Sequence, residues 1–213
     1  MAERLIYLHG FASGPRSYKA QYLQRRFAAN QRRLEVPDLN QGGFLHLTLT
    51  RQVEQVGRLI AASPKPVALI GSSFGGLTAA WVAERYPQVT RLILLAPAFE
   101  FGIHLQAHLG TAAWQGWQQE GTLSIYHHGF GGEMPLDHNF AVDLMRYPDR
   151  ELKRPLPTHI IHGDRDSVIP VATSERYQQK RAWVTLNRTD DDHNLTNSLG
   201  YIWQQLQQFG QSR

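Results

Sequence analysis

Short apolar runs alternate with longer segments of helical spacing along most of the chain. The apolar runs predict buried strands at residues 5–8, 34–37, 66–70, 91–95, 158–162 and 183–186. The helical spacing predicts helices at residues 17–30, 50–62, 77–86, 171–181 and 196–209. Buried strands that alternate with helices are typical of a mainly parallel sheet covered on both faces. The pattern therefore predicts an α/β fold with a single domain over residues 1–213.

The alternation breaks after Pro97. Residues 98 to about 150 contain glycines and many aromatic side chains, among them Phe99, Phe101, Trp114, Trp117, Tyr126, Phe130 and Phe140. A break of this kind predicts an insertion, and open α/β sheets have their sites at the carboxyl ends of the strands. We therefore expect residues 98–150 to form a cap or lid over that edge and to provide an apolar wall there.

The string Gly71-Ser72-Ser73-Phe74-Gly75 has the G-x-S-x-G pattern of a nucleophilic serine. The pattern alone is weak, because such strings also occur by chance. Here a predicted strand precedes it and a predicted helix follows it, as the tight turn that exposes a nucleophilic hydroxyl requires. Gly71 and Gly75 lack the Cβ atoms that would clash at such a turn. The context predicts Ser73 as the nucleophile, since the lysine of a phosphate-binding P-loop is missing.

His193 is the predicted general base. In proteins with a nucleophilic serine at a strand-to-helix turn of this kind, the acid follows the serine in the chain and the histidine follows the acid. The histidine lies after the last strand. The chain has ten histidines, but only His193 lies downstream of residue 162. It directly follows Asp190, Asp191 and Asp192, which we expect to form a solvated turn.

Two aspartates compete for the role of the acid. Asp164 and Asp166 both lie in the loop after the predicted strand 158–162, where the order of the partners requires an acid. Only one of them can be the buried partner that holds the tautomer of the histidine ring. Spacing does not decide between them; we favour Asp166 and expect Asp164 to brace the turn.

The loop after the first strand is a candidate for half of an oxyanion hole. A tetrahedral oxyanion needs preorganised donors, usually two backbone N–H groups. One is predicted at Phe74, which follows the serine, and the other at Phe11 in the glycine-containing loop. His9 is expected to pack beneath that loop and to hydrogen-bond to the backbone.

Three strings of the sequence resemble those of the α/β-hydrolases, and most of all the small bacterial esterases of the YqiA/YcfP type. They are residues 5–11 (LIYLHGF), 71–76 (GSSFGG) and 162–170 (HGDRDSVIP). The resemblance implies an α/β-hydrolase fold and the cleavage of carboxylic esters or acyl thioesters. It also implies that Asp166 is the acid, because in similar hydrolases the acidic aspartate is followed by two or three residues and then by Val/Ile-Pro. Asp192 departs from the pattern, since relatives often have glycine before the histidine.

Composition excludes several other classes of protein. Lys and Arg total 22 and Asp and Glu 18, so the net charge of +4 is too small to indicate a nucleic-acid partner. Without cysteine, the chain has no disulfide and no thiolate metal site. The loop histidines His127, His128 and His138 lack the spacing of metal ligands, so we expect no metal and no other cofactor. No apolar stretch approaches the length of a membrane span, and we expect a cytoplasmic protein of undetermined oligomeric state.

Together these features predict a serine hydrolase that forms an acyl-enzyme at Ser73. Its partner would be a small-molecule acyl ester or thioester. Amidase and acyltransferase activities stay open as alternatives within the same chemistry. A catalytically idle hydrolase fold that binds a ligand or acts as a scaffold is a second class, against which the full set of Ser73, Asp166 and His193 argues.

Overall fold

The computed structural model describes residues 3–209 of the chain. The strands are β1 (Arg4–Leu8), β2 (Leu34–Glu35), β3 (Val67–Ser72), β4 (Val89–Leu95), β5 (Thr122–His127), β6 (Gly132–Asp137), β7 (Thr158–Gly163) and β8 (Val184–Thr189). The helices are α1 (Tyr18–Ala29), α2 (Leu49–Ala61), α3 (Phe74–Arg85), α4 (Phe101–Glu120), α5 (Asn139–Leu144), α6 (Ala172–Gln179) and α7 (Leu199–Phe209). A short 3₁₀ helix lies between α5 and β7, at Asp149–Glu151.

Six strands form one parallel sheet in the order β2-β1-β3-β4-β7-β8. Every residue of β3 is buried, as is typical of a central strand in a sheet covered on both faces. Ile6 and Leu69 belong to a core with α2 and α3, whereas Tyr7 and Ile70 point to the opposite face and pack with α1 and α7. The predicted fold class, an α/β protein with a mainly parallel and doubly covered sheet, is confirmed.

Each predicted element lies within three residues of its observed bounds. One of the largest differences is at α3, which begins at Phe74 instead of residue 77. Strand β3 continues to Ser72, so that Ser73 alone separates the strand from the helix. The turn is therefore sharper than the spacing of apolar residues predicts. Glycines make this turn possible, and glycines do not contribute to a hydrophobic pattern.

The insertion, residues 98–150, contains α4, an antiparallel hairpin of β5 and β6, α5 and the 3₁₀ helix. Helix α4 is kinked at Gly110, whose φ of 76° lies outside the helical region. Trp117 on α4 is buried and its indole N–H donates to the carbonyl of Leu136 on β6 at 3.0 Å. Trp117, Leu136 and Phe140 join the same core as α2 and α3. The insertion is thus packed on one face of the sheet, while its role as a lid stays a prediction.

Candidate active site

Ser73 occupies a strained turn between β3 and α3. Its φ of 53° and ψ of −120° lie in a region that residues with a side chain rarely adopt, and such strain occurs most often at functional sites. The surrounding backbone holds the turn in place: Ser73 N–H donates to the carbonyl of Leu95 at 2.9 Å. The Ser73 carbonyl in turn accepts N–H groups from Gly76 at 2.8 Å and Ala98 at 3.0 Å. The conformation of the serine is therefore fixed by the end of β4, by the loop after it and by the first turn of α3.

The glycines of the motif are required by close backbone contacts. A Cβ atom on Gly75 would lie 2.2 Å from the carbonyl oxygen of Leu8, at the end of β1. A Cβ atom on Gly71 would lie 2.4 Å from the carbonyl oxygen of Gly75. Both distances are impossible for real atoms, so the start of α3 can approach β1 and β3 only with glycine at these positions.

His193 lies in the loop after β8 and contacts both of its predicted partners. Its Nε2 is 2.9 Å from Ser73 Oγ, and its Nδ1 is 2.7 Å from Asp166 Oδ2. Because the carboxylate only accepts, Nδ1–H donates to Asp166 and Nε2 is left to accept the hydroxyl proton of Ser73. The three residues singled out in the sequence thus form one hydrogen-bonded chain, which can transfer a proton away from the serine. Asp192, the departure from the related sequences, does not disturb this geometry.

Asp166 is the most thoroughly hydrogen-bonded of these groups. Its Oδ1 accepts the N–H groups of Val168 at 2.9 Å and Ile169 at 2.8 Å. Its Oδ2 accepts from His193 and also from Nε2 of His162 at 3.0 Å. Burial alone would raise the pKa of this carboxyl, but the hydrogen bonds from the two histidines hold its pKa well below the usual range. Asp166 therefore stays ionised and can stabilise a protonated His193.

His162 is a further member of the hydrogen-bonded chain, and in the sequence it stands out only as part of the motif at residues 162–170. It is fully buried at the end of β7, and its Nε2 faces Asp166 and the carbonyl of Ile169, at 3.0 and 2.8 Å. Both of these groups are acceptors, so Nε2 carries the proton and Nδ1 accepts from the hydroxyl of Ser174 at 2.8 Å. The hydrogen-bonded chain thus continues beyond Asp166 to α6. The only available signal was a histidine four residues before the acid, which is not specific by itself.

Asp164, the competing acid, points away from His193. Its side chain is exposed and accepts from Nε of Arg188 on β8 at 2.6 Å. Its N–H group bonds to the carbonyl of Thr189 at 2.8 Å. These contacts brace the turn against the neighbouring strand, as expected, and leave Asp166 as the acid that contacts the histidine.

The prediction of a solvated turn at residues 190–192 is wrong for Asp191. Its side chain is buried, and its carboxylate accepts both the N–H and the hydroxyl of Ser198 at 2.9 Å. Its carbonyl lies so close to β7 that a Cβ atom on Gly163 would be 2.3 Å away. The short loop before α7 needs an internal acceptor for its free N–H groups, and Asp191 provides it. The loop that holds His193 is therefore fixed, while Asp190 and Asp192 are exposed as expected.

The loop after β1 borders the serine, as the predicted oxyanion hole requires. A Cβ atom on Gly10 would lie 3.4 Å from Ser73 Cβ. His9 is buried, and its Nε2 accepts the N–H of Leu39 while Nδ1 bonds to the Gly10 carbonyl, each at 3.0 Å. Burial lowers the pKa of His9, which suits the neutral ring that these bonds need. His9 thus braces the loop as predicted.

The two predicted oxyanion donors, the N–H groups of Phe11 and Phe74, lie beside Ser73. Within residues 3–209, the N–H groups of Phe11 and Phe74 make no backbone hydrogen bond. The Phe11 ring packs against Phe74, with centroids 6.2 Å apart, and against Phe140 of the insertion, at 5.2 Å. Both amides are therefore available beside the serine, although their role in binding an oxyanion stays a prediction.

A cleft of about 720 Å³ opens onto Ser73 and His193. The insertion contributes apolar side chains, which include Phe101, Leu105, Leu109 and Ile125, and also polar ones, which include His104, His108, His128 and Glu133. The loop after β1, the first turn of α1 and the loop after β8 contribute polar side chains, which include Ser13, Ser17, Lys19, Asn194 and Thr196. The cleft is large enough for a small organic substrate and places it against the serine hydroxyl.

The His, Asp and Glu side chains of residues 3–209 do not cluster as the ligands of a metal ion do. Among those residues no group of three or more His, Cys, Asp or Glu side chains could hold a metal ion. His127 is buried and hydrogen-bonds to Asn40 and to the N–H of Phe130, in agreement with a structural role. None of the described helices is both long and apolar enough to cross a lipid bilayer.

The parallel sheet and the strand-to-helix turn at Ser73 after its central strand define an α/β-hydrolase fold. Solved structures of similar fold support this classification. The chain is similar to Est1E from Butyrivibrio proteoclasticus with bound ferulic acid, with a TM-score of 0.82 and 18% identity over 98% of this chain and 88% of that one. It is also similar to α/β-hydrolase domain-containing protein 10 from mouse, with a TM-score of 0.79 and 17% identity over 98% and 90%. At this identity the likeness establishes the fold alone.

The chain belongs to the family described as uncharacterised protein family UPF0227, whose model matches residues 4–210. The match covers nearly the whole chain and agrees with the resemblance seen in its motifs. No curated protein sequence matches it.

Proposed function

We propose that this protein is a serine hydrolase that cleaves carboxylic esters or acyl thioesters through an acyl-enzyme on Ser73. The proposal rests on one observation, the hydrogen-bonded chain from Ser73 Oγ through His193 to Asp166, at 2.9 and 2.7 Å. Ser73 and His193 both line the cleft, and Ser73 lies on a strained turn that exposes its hydroxyl group. Nucleophile, base and orienting acid within hydrogen-bond reach are the arrangement that activated-serine chemistry requires.

The reaction follows from these contacts. His193 Nε2 removes the hydroxyl proton as Ser73 Oγ attacks the acyl carbon, and the N–H groups of Phe11 and Phe74 stabilise the oxyanion. The imidazolium, stabilised by ionised Asp166, then gives its proton to the departing alcohol or thiol. A water molecule, deprotonated by His193 in the same way, releases the acid and restores the serine.

The apolar side of the cleft favours an acyl substrate. Phe101, Leu105 and Ile125 line the cleft together with Ser73 and provide a surface for a hydrocarbon or aromatic group. Est1E, which has the same fold, binds the aromatic acid ferulic acid. Amidase and acyltransferase activities would use the same acyl-enzyme with a different leaving group or acceptor.

The decisive experiment compares Ser73→Ala with the wild type on p-nitrophenyl esters and acyl thioesters of graded length. We expect Ser73→Ala to lower kcat by at least about 10³-fold, because loss of the nucleophile removes the acyl-enzyme route. Ser72→Ala, the adjacent serine, serves as the matched control and should stay within about tenfold of the wild type. A fluorophosphonate probe should label the wild type and Ser72→Ala but not Ser73→Ala. Unchanged turnover by Ser73→Ala would show that the proposal is wrong, and an unreactive wild type would indicate a ligand-binding protein.

A further inference from the structure

The cleft beside Ser73 contains one lysine, Lys19, on its polar side. Lys19 lies in the first turn of α1, and its Nζ donates to the carbonyl of Asn194 at 2.7 Å. Asn194 directly follows His193, so the ammonium group is close to the base of the proposed reaction. The described residues provide this one acceptor for three N–H bonds, which leaves two of them free to bind a ligand.

Among the described residues, no carboxylate forms a hydrogen bond or a close ion pair with this ammonium group. Three aspartates act on Lys19 through their charge, and each is hydrogen-bonded elsewhere. Asp166 accepts from two histidines, Asp191 from Ser198, and Asp192 from the N–H of Asn194. Glu133, the acidic residue that lines the cleft, accepts from the hydroxyl of Ser124. The cleft therefore holds a cation without an ion-pair partner.

The unused N–H bonds of Lys19 can bind an anionic group of a ligand. Burial lowers the pKa of Lys19 to about 8, against the opposing charges of the three aspartates. The group is still mainly protonated at neutral pH, and a half-buried ammonium group with unused N–H bonds gains from a further acceptor. A carboxylate or phosphate in the cleft would take up its free N–H bonds and form a charge-assisted hydrogen bond.

We propose that Lys19 binds an anionic group of the substrate, so that the preferred substrates are esters or thioesters that also carry a carboxylate or a phosphate. This inference rests on the proposed function, since it assigns a substrate class to the same cleft. A different role would be purely structural, in which Lys19 only holds the loop of His193 through Asn194. The two roles differ in selectivity, because a structural role affects charged and neutral substrates equally.

The experiment measures kcat/KM for matched anionic and neutral substrates in the wild type and in Lys19→Met. One pair is mono-p-nitrophenyl glutarate and p-nitrophenyl hexanoate, which tests a carboxylate on the acyl group. The other is butyryl-coenzyme A and the butyryl thioester of N-acetylcysteamine, which tests phosphate on the leaving group. Lys19→Met should lower the anionic-to-neutral ratio by about 10- to 100-fold in one pair, and Lys19→Arg by less. Lys65→Met, at an exposed loop position, controls for the change in net charge.

Two results of the experiment with the Lys19 variants would overturn the inference. An equal loss on both members of each pair would make Lys19 a structural residue, and an unchanged ratio in both pairs would leave it without a role in recognition. The wild type provides a second test that needs no folded variant: the ratio should fall as pH rises through about 8, because Lys19 loses its charge. A flat ratio between about pH 6.5 and 9.5 would also overturn it. Failure of the proposed function itself would be seen separately, as undiminished activity of Ser73→Ala.

Discussion

Two enclosed aspartates, on either side of β7, behave in opposite ways. Asp166 follows β7 and contacts His193, which lines the cleft, and the pKa of Asp166 lies well below the usual range. Asp149 precedes β7 in the 3₁₀ helix, beside a second cavity of about 660 Å³, and its pKa is raised from 3.8 to about 6. Burial raises the pKa of both carboxyls, so burial cannot explain the difference.

The difference follows from the number of hydrogen-bond donors. Asp166 receives four donors, two of them histidine rings. Asp149 receives the N–H of Glu100 at 2.6 Å, but the Glu100 charge also disfavours its ionisation. The nearby Arg181 directs its N–H groups to backbone carbonyls, including that of Leu152, instead of the Asp149 carboxylate. An enclosed carboxylate thus stays ionised only where its donors outweigh the loss of solvent.

The strongest test of this comparison removes the charge of Asp166. Asp166→Asn should lower kcat for ester hydrolysis by about 10³- to 10⁴-fold, because a neutral amide cannot stabilise the imidazolium and favours the wrong ring tautomer. Asp164→Asn, two residues away and exposed, should stay within about threefold in steady-state assays. Equal losses of kcat in the two variants would contradict the assignment of Asp166 as the acid. They would show that any change in this loop lowers activity.

A smaller effect is expected when one donor to Asp166 is lost. His162→Phe keeps the ring shape without the N–H, and we expect kcat/KM to fall by about 10- to 100-fold, the usual effect of losing a buried hydrogen bond to a charge. With fewer donors the carboxylate holds the imidazolium more tightly, so the acidic limb of the pH profile should move to higher pH.

His162→Gln is the matched control, because its side-chain amide can still donate towards Asp166. It should recover part of the activity and bring the acidic limb back towards its wild-type position. If both variants lose activity without any change in the pH profile, His162 only supports the packing of the loop. His162 would then not position the acid.

The sequence predicted the fold and the residues that meet at Ser73 because both depend on local signals. Buried strands produce apolar runs, and the serine turn needs glycines at fixed places, such as Gly71 and Gly75. The partners of His162 and the burial of Asp191 depend on contacts between loops far apart in the chain. Asp191 illustrates the limit: three consecutive aspartates indicate a solvated turn, and only the fold brings the Ser198 amide to the middle one.

The smallest effect is expected at Asp149 and concerns stability instead of activity. Because its folded-state pKa is raised, Asp149 contributes stability below about pH 4, and this contribution is lost as pH rises through about 6. Asp166 has the opposite sign, since its contribution is present above about pH 4 and is lost only in strong acid. The two carboxyls thus shift the stability of the protein in opposite directions with pH.

Asp149→Asn separates the two contributions, because asparagine keeps an acceptor for the Glu100 N–H but cannot ionise. The free energy of unfolding in guanidinium should match that of the wild type at about pH 4 and exceed it by up to about 3 kcal/mol at pH 8. Ester hydrolysis should be unaffected, since Asp149 does not line the cleft. Glu54→Gln, on an exposed face of α2, should change stability little at either pH. The free energies of unfolding of the wild type and Asp149→Asn could instead differ by the same amount at both pH values. Desolvation of the Asp149 carboxyl would then not limit stability, and its contrast with Asp166 would have another origin.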